Sequence, residues 1–208
     1  MPQPPRAVGA PVAGRSAGRP RDTARHDAVL AATRELLAEV GYTGVNYSEV
    51  STRAGVTRQL LYRWWPTRAD LVSEALFANP EDRWPVDYPG SLAADLRVFV
   101  TALVDYALRP DVRAGILGLM SEADRITEVP GLESGTLEPL ESELRTLVDR
   151  AVARGEIPQQ EADSIDIRLT LNTVRGAVVM HLIADRTPPA MIVDHLTQLL
   201  RRAFACNC

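Results

Sequence analysis

Tyr47-Ser48-Glu49-Val50-Ser51-Thr52-Arg53-Ala54-Gly55-Val56-Thr57-Arg58-Gln59-Leu60-Leu61-Tyr62-Arg63-Trp64-Trp65-Pro66-Thr67-Arg68 is the stretch that decides the fold. Its capping chemistry marks two short helices around a tight turn. Asn46 is placed to cap the first, and Glu49, three residues on, has the capping-box spacing, so a helix is predicted over Tyr47 to Ala54. Gly55 supplies the turn and Val56 plugs the angle. Thr57 caps a third helix, Arg58 to Trp65, which Pro66 ends. Thr67 with Asp70 repeats the cap-plus-acid spacing and starts a fourth helix running to about Ala78. Two helices that cross closely need small residues at the contact, here Ser51, Ala54 and Gly55, and apolar residues between them, here Val50, Val56, Leu61 and Trp65. That leaves Thr57, Arg58, Gln59, Tyr62 and Arg63 facing outward. A helix presenting Arg58 and Gln59 near its N-terminus suits the reading of base edges in a major groove. Tyr62, Arg63 and Arg68 lie further along and suit phosphate contacts, which set register without specifying sequence.

Upstream, Val29, Ala32, Leu36, Leu37 and Val40 recur at helical spacing, predicting a first helix from Thr23 to Val40 with Gly41 as its left-handed stop. Residues 1–22 are rich in Pro, Gly and Ala, carry Arg6, Arg15, Arg19 and Arg21, and have no apolar periodicity, so a basic arm is expected there. Two roles stand open for it: an inert tail, or a minor-groove and phosphate contact through Arg19 and Arg21. The charge is polarised. Residues 1–70 hold ten arginines against six acids, while the rest of the chain holds thirteen against twenty-one. A basic end on an acidic body fits a DNA-binding head on a sensing domain. The 208-residue chain has no lysine, so every cationic contact is made by arginine, whose planar fork grips phosphate or guanine bidentately.

Downstream of a linker over residues 79–90, the pattern is helical without a convincing strand. Leu92, Leu96, Phe99, Val100, Leu103, Val104 and Leu108 share one face of a fifth helix. A short helix follows over Asp111 to Asp124, a long one carries Leu137 to Val152 and closes at Gly155, and two more span Ile165 to Ala184 and Ala190 to Phe204. About nine helices are expected, in an all-α fold divided into the arm (1–22), a helix-turn-helix domain (23–70) with a connecting fourth helix (68–78), and a sensing and dimerising domain (79–208).

Residues 19–76 resemble the DNA-binding domain of the TetR/AcrR family of transcriptional regulators. The likeness rests on Gly18-Arg19-Pro20-Arg21, Gly41-Tyr42, Ala54-Gly55-Val56-Thr57, Leu61-Tyr62-Arg63 and Pro66-Thr67-Arg68. Later in the chain it is limited to length, helicity and the Arg154-Gly155-Glu156-Ile157 turn. The resemblance implies that Tyr62 is a phosphate-contacting tyrosine, that Arg68 is the basic residue opening the fourth helix, and that operator DNA is repressed until a small-molecule effector binds. It also implies a homodimer whose last two helices pair with their mates. Trp64-Trp65 stand where many members have histidine and phenylalanine. Trp64 therefore has two possible placements, against the phosphate backbone or buried.

Phe99, Leu103, Tyr106, Leu117 and Met120 are candidates to line an effector cavity, although the same stripe is also the ordinary core of a helical bundle. Asn172 and Arg175, polar within an apolar helix, are further pocket candidates. His181 and Asp185 lie one turn apart, but spacing suggests no further ligand, so no metal or other cofactor is expected. His26 and His195 are placed on solvated faces. Cys206 and Cys208 are read as an inert tail. A helical enzyme or carrier for a small apolar molecule is the alternative, but the chain has no nucleophile elbow, phosphate loop or metal-ligand cluster to support one. The absence of a long apolar span or secretory leader points to no membrane partner and a cytoplasmic location.

Overall fold

A computed structural model describes residues 20–77, 87–122, 138–184 and 187–205 of the chain. Among them are ten helices and no strand: α1 (Pro20–Gly44), α2 (Tyr47–Ala54), α3 (Arg58–Trp64), α4 (Arg68–Phe77), α5 (Leu92–Leu108), α6 (Pro110–Glu122), α7 (Glu138–Ala153), α8 (Gln159–Asp163), α9 (Ile167–Ala184) and α10 (Pro189–Ala205). The all-α expectation holds. The short polar α8 is additional to the expected helices, because five residues without apolar periodicity carry no helix signal. The arm, Leu137, Asp185 and both cysteines lie outside the described residues, apart from Pro20, Arg21 and Asp22, which form the first turn of α1.

Local chemistry explains most of the boundaries. Gly41 interrupts α1 with φ 72° and ψ 178°, a conformation essentially reserved for glycine, so it breaks the helix in a more extended form than the expected left-handed cap. Asn46 accepts from the Glu49 N–H at 2.9 Å and caps α2. The other half of the expected box differs: the Glu49 carboxylate turns forward to Arg53 at 3.1 Å. Gly55, at φ 64° and ψ 33°, closes α2 in the left-handed region. Thr57 accepts from the Leu60 N–H and caps α3. The box at α4 is reciprocal, with the Asp70 N–H donating to Thr67 Oγ1 at 3.1 Å and the Thr67 N–H donating to Asp70 Oδ2 at 2.9 Å.

The helices enclose two apolar cores. One joins α5, α7, α9 and α10 through Phe99, Leu103, Leu144, Leu171, Leu196 and their neighbours. The other joins α1 to α4 through Leu37, Val50, Leu61, Trp65 and Leu71, and it also includes Val112 and Leu119 of α6. Full burial of each such Leu or Phe contributes roughly 1.5–3 kcal/mol. The helix α6 therefore packs mainly on the N-terminal unit, here called the head, and only lightly on the body.

Two glycines permit that close approach. A Cβ on Gly118 would collide with Cγ of the Tyr42 ring, and one on Gly115 would lie 2.5 Å from the flexible end of Leu76. Gly118→Ala is expected to overpack this contact and cost at least about 1–3 kcal/mol, read as a lower Tm, with Gly115→Ala milder because Leu76 can rotate away. A Gly118→Ala protein melting at or above the parent would show that α6 does not sit this close to α1.

At the other end of the body, Asp95 is fully buried and organises the start of α5. Its Oδ1 accepts from the Gly90 N–H at 2.8 Å and its Oδ2 from Arg154 at 3.1 Å. Glu156 accepts from the Leu92 N–H at 2.8 Å and also from Arg154. The Arg154-Gly155-Glu156 turn thus clamps the end of α7 to the N-terminus of α5, whose free N–H groups favour carboxylates. The Arg154 partnership holds the Glu156 carboxyl below its ordinary value, with the Leu92 N–H as the next cause.

Candidate nucleic-acid interface

The outward face of α3 is made by the residues that its own core positions leave over. Leu61 and Trp65 are buried, which turns Thr57, Arg58, Gln59, Tyr62 and Arg63 to the solvent. Tyr62 is 59% exposed and stands edge-on to the Tyr47 ring, with centroids 4.5 Å apart. Tyr47 itself is buried, and its hydroxyl donates to the Trp65 carbonyl at 2.7 Å, tying α2 to the end of α3. Burial pushes its phenol well above the ordinary range. The buried Tyr47 ring thus braces one side of the exposed Tyr62 phenol.

The rest of the head holds α3 at its angle. Arg53 of α2 bonds both carboxylate oxygens of Glu39 on α1, at 2.9 and 2.8 Å, as well as Glu49. That Arg53 bond is the main reason the Glu39 carboxyl lies below its ordinary value.

Trp64 is half-buried, its ring set edge-on to Trp65 at 5.4 Å and tilted against His26 at 5.6 Å. It thus packs against the head on one side and keeps part of its surface exposed. His26 differs from its expected solvated placement: Nε2 meets Glu74 at 2.8 Å, while the indole N–H of Trp65 donates to the other oxygen of Glu74. His26 and Glu74 thus fasten α1 and α4 to the end of α3.

Arg68 opens α4, as expected, and is engaged within the protein. It is half-buried, donates to Glu122 of α6 at 2.6 Å and lies over the Tyr42 ring at 4.5 Å, so it is not displayed to solvent as Arg58 and Arg63 are. Tyr42 completes the group by donating to Glu122 at 2.8 Å, and burial, reinforced by that bond, pushes its phenol up to about 12. Of the two arm residues, Arg19 lies outside the described residues and Arg21 falls in the first turn of α1.

The candidate effector residues are not brought to one place. Phe99 and Leu103 belong to the body core, whereas Tyr106 packs on the head core and its hydroxyl donates to the Leu76 carbonyl. Leu117 and Arg175 are half-buried. Met120 and Asn172 are exposed, which removes them from any interior lining. The reason for Asn172 is rotational: the buried stripe of α9 runs Ile167, Leu171, Val174 and Val178, and a residue one step past Leu171 points about 100° away.

Two family descriptions match the chain: "Bacterial regulatory proteins, tetR family" over residues 29–75 and "Tetracyclin repressor-like, C-terminal domain" over residues 87–202. The HTH-type transcriptional regulator AqdR of Rhodococcus erythropolis is 31% identical over 160 residues, covering 76% of this chain and 75% of that protein. The uncharacterized HTH-type transcriptional regulator YdeS of Bacillus subtilis (strain 168) is 25% identical over 168 residues, covering 80% and 82%. In fold, the crystal structure of the TetR family transcription regulator SCO0332 superposes with a TM-score of 0.67 at 23% identity, covering 85% of this chain and 96% of that one. No helix among the described residues is long and apolar enough to cross a membrane. With the braced, outward α3 at one end and both halves of the chain matched, the protein belongs to the TetR family and is a helix-turn-helix, DNA-binding transcriptional regulator.

Proposed function

We propose that the protein is a homodimeric repressor, and not an enzyme or carrier, which leaves its operator when a small apolar effector binds. The observation that carries the dimer is the outer face of the last two long helices. Leu169 and Met180 of α9 and Met191 and Leu199 of α10 are 43% to 64% exposed, although most apolar side chains of these helices are buried. Gly176, between Leu169 and Met180 on the same face, has nothing within 4 Å of where its Cβ would be, so another helix can approach closely there. A second copy of the chain is the occupant that fits, because a two-fold pairing of this face sets two α3 helices side by side. Separated by about 34 Å, they meet successive major grooves of a near-palindromic operator.

In each copy Arg58 and Gln59 read base edges, while Tyr62 and Arg63, with the arm arginines Arg19 and Arg21, hold phosphates. The effector binds within the body, beside α5, which runs from the body core to the head core. The Tyr106 bond to the end of α4 gives such a ligand a direct hold on the head. Effector and DNA then favour different head separations, and each weakens the other by the same factor. The site of action is the cytoplasm, where the operator is.

A reporter fused to the chain's own upstream region tests this. Supplying the gene in trans is expected to lower expression, and Arg58→Ala is expected to abolish that effect while leaving the Tm unchanged. Raised expression would make the protein an activator and contradict the proposal.

A further inference from the structure

Glu122 is the last described residue of α6. Its carboxylate reaches into the head, with Oε1 accepting from Arg68 Nη2 at 2.6 Å and Oε2 accepting from the Tyr42 hydroxyl at 2.8 Å. Arg68, the first residue of α4, is half-buried, and its donors are incompletely used. Its Nε is buried without a hydrogen-bond partner, and Nη1 reaches only the Thr43 carbonyl at 3.5 Å. A planar fork built to hold two acceptor oxygens side-on is therefore held strongly by one.

We propose that Glu122 is an internal competitor of the DNA backbone. In the free protein it occupies Arg68, and on docking Arg68 exchanges the carboxylate for a phosphate oxygen, which releases the end of α6. A carboxylate and a phosphate present the same kind of anionic oxygen to the same guanidinium, so the exchange needs only a side-chain swing about the first turn of α4. Regulation arises from linkage. Anything that presses the end of α6 towards α4 strengthens the Glu122 pair and weakens DNA binding, and DNA in turn loosens α6. The inference rests on the DNA-binding role of the head and deepens it by naming how α6 reads that state.

The test is a double-mutant cycle on the full chain, using fluorescence anisotropy with a labelled duplex from its own upstream region at several salt concentrations. Glu122→Gln keeps the shape of the side chain and removes its charge. It is expected to tighten binding by about tenfold per dimer. The salt slope should also steepen, by up to about 0.9 for each phosphate gained. In the Arg68→Ala background the same substitution is expected to change affinity by less than about twofold, since the competitor then has nothing to release. Melting curves and sedimentation of all four proteins establish that each is folded and in the same oligomeric state. An equal gain in both backgrounds would mean simple charge repulsion and would overturn the exchange. So would a Glu122→Gln protein that binds no tighter than the parent. A parent protein that binds no duplex even at low salt would overturn the DNA-binding role along with the inference, so the two failures are distinguishable.

Discussion

Gly176→Arg is expected to convert the protein to monomers and to weaken operator binding on the order of a thousandfold. Position 176 lies on the outer face of α9 with open space around its would-be Cβ, so an arginine fits the isolated protomer without a clash. It is also helical rather than positive in φ, so the substitution should improve the local helix. In a dimer the same arginine lies at the proposed crossing point and would be forced between two closely packed helices without a partner. Half-site binding then loses the effective concentration that joins two heads on one duplex, a factor of about 10²–10⁴. Sedimentation reads the first effect and anisotropy the second, with circular dichroism to confirm retained helix. A Gly176→Arg protein that stays dimeric with parental affinity would place the interface elsewhere.

Asp95→Ala is expected to cost the body about 1–3 kcal/mol, the range for leaving a buried hydrogen-bonding group without its partner. The carboxylate has no exposure, and its two oxygens serve the Gly90 N–H and Arg154. Alanine leaves the Gly90 N–H without its acceptor and Arg154 with Glu156 as its remaining partner, and so removes one of the two carboxylates that join the α5 N-terminus to the α7 turn. Asp95→Asn should lose less, since its amide oxygen can still accept from Gly90. Urea denaturation monitored by circular dichroism provides the comparison, with the midpoint falling in the order parent, Asn, Ala. A change below about 0.5 kcal/mol for Ala would show that the clamp is not a determinant of the body's stability.

The parts of this protein that are legible in its sequence are those fixed by neighbours a few residues apart. Asn46, Thr57 and the Thr67–Asp70 pair cap the backbone three residues on, and Gly55 ends a helix through its own φ, so local chemistry is enough to outline the head. His26 departs from its expected placement, and Arg68 gains an unforeseen partner, because both partners arrive through packing: Glu74 from α4, and Glu122 from 54 residues away. No spacing rule relates residues so far apart. Asn172 departs for a different reason. α9 has two apolar stripes, a buried one through Leu171 and an exposed one through Leu169 and Met180, and a helix apolar on both sides does not reveal which side is interior. The division into two cores, with α6 joined to the head, depends on Gly115 and Gly118, whose meaning appears only when Leu76 and Tyr42 lie against them.

The central claim is that the outward side chains of α3 bind operator DNA. Its most direct test is a titration of the purified protein into labelled duplex from its own upstream region, at several salt concentrations, beside an unrelated duplex and the Arg58→Ala variant. The expected result is tight binding to the first duplex, weakened by salt along a linear log–log slope, with Arg58→Ala losing about 1–3 kcal/mol of discrimination per base pair read. Equal binding of the two duplexes by parent and variant, or no binding at low salt by a folded dimer, would contradict it.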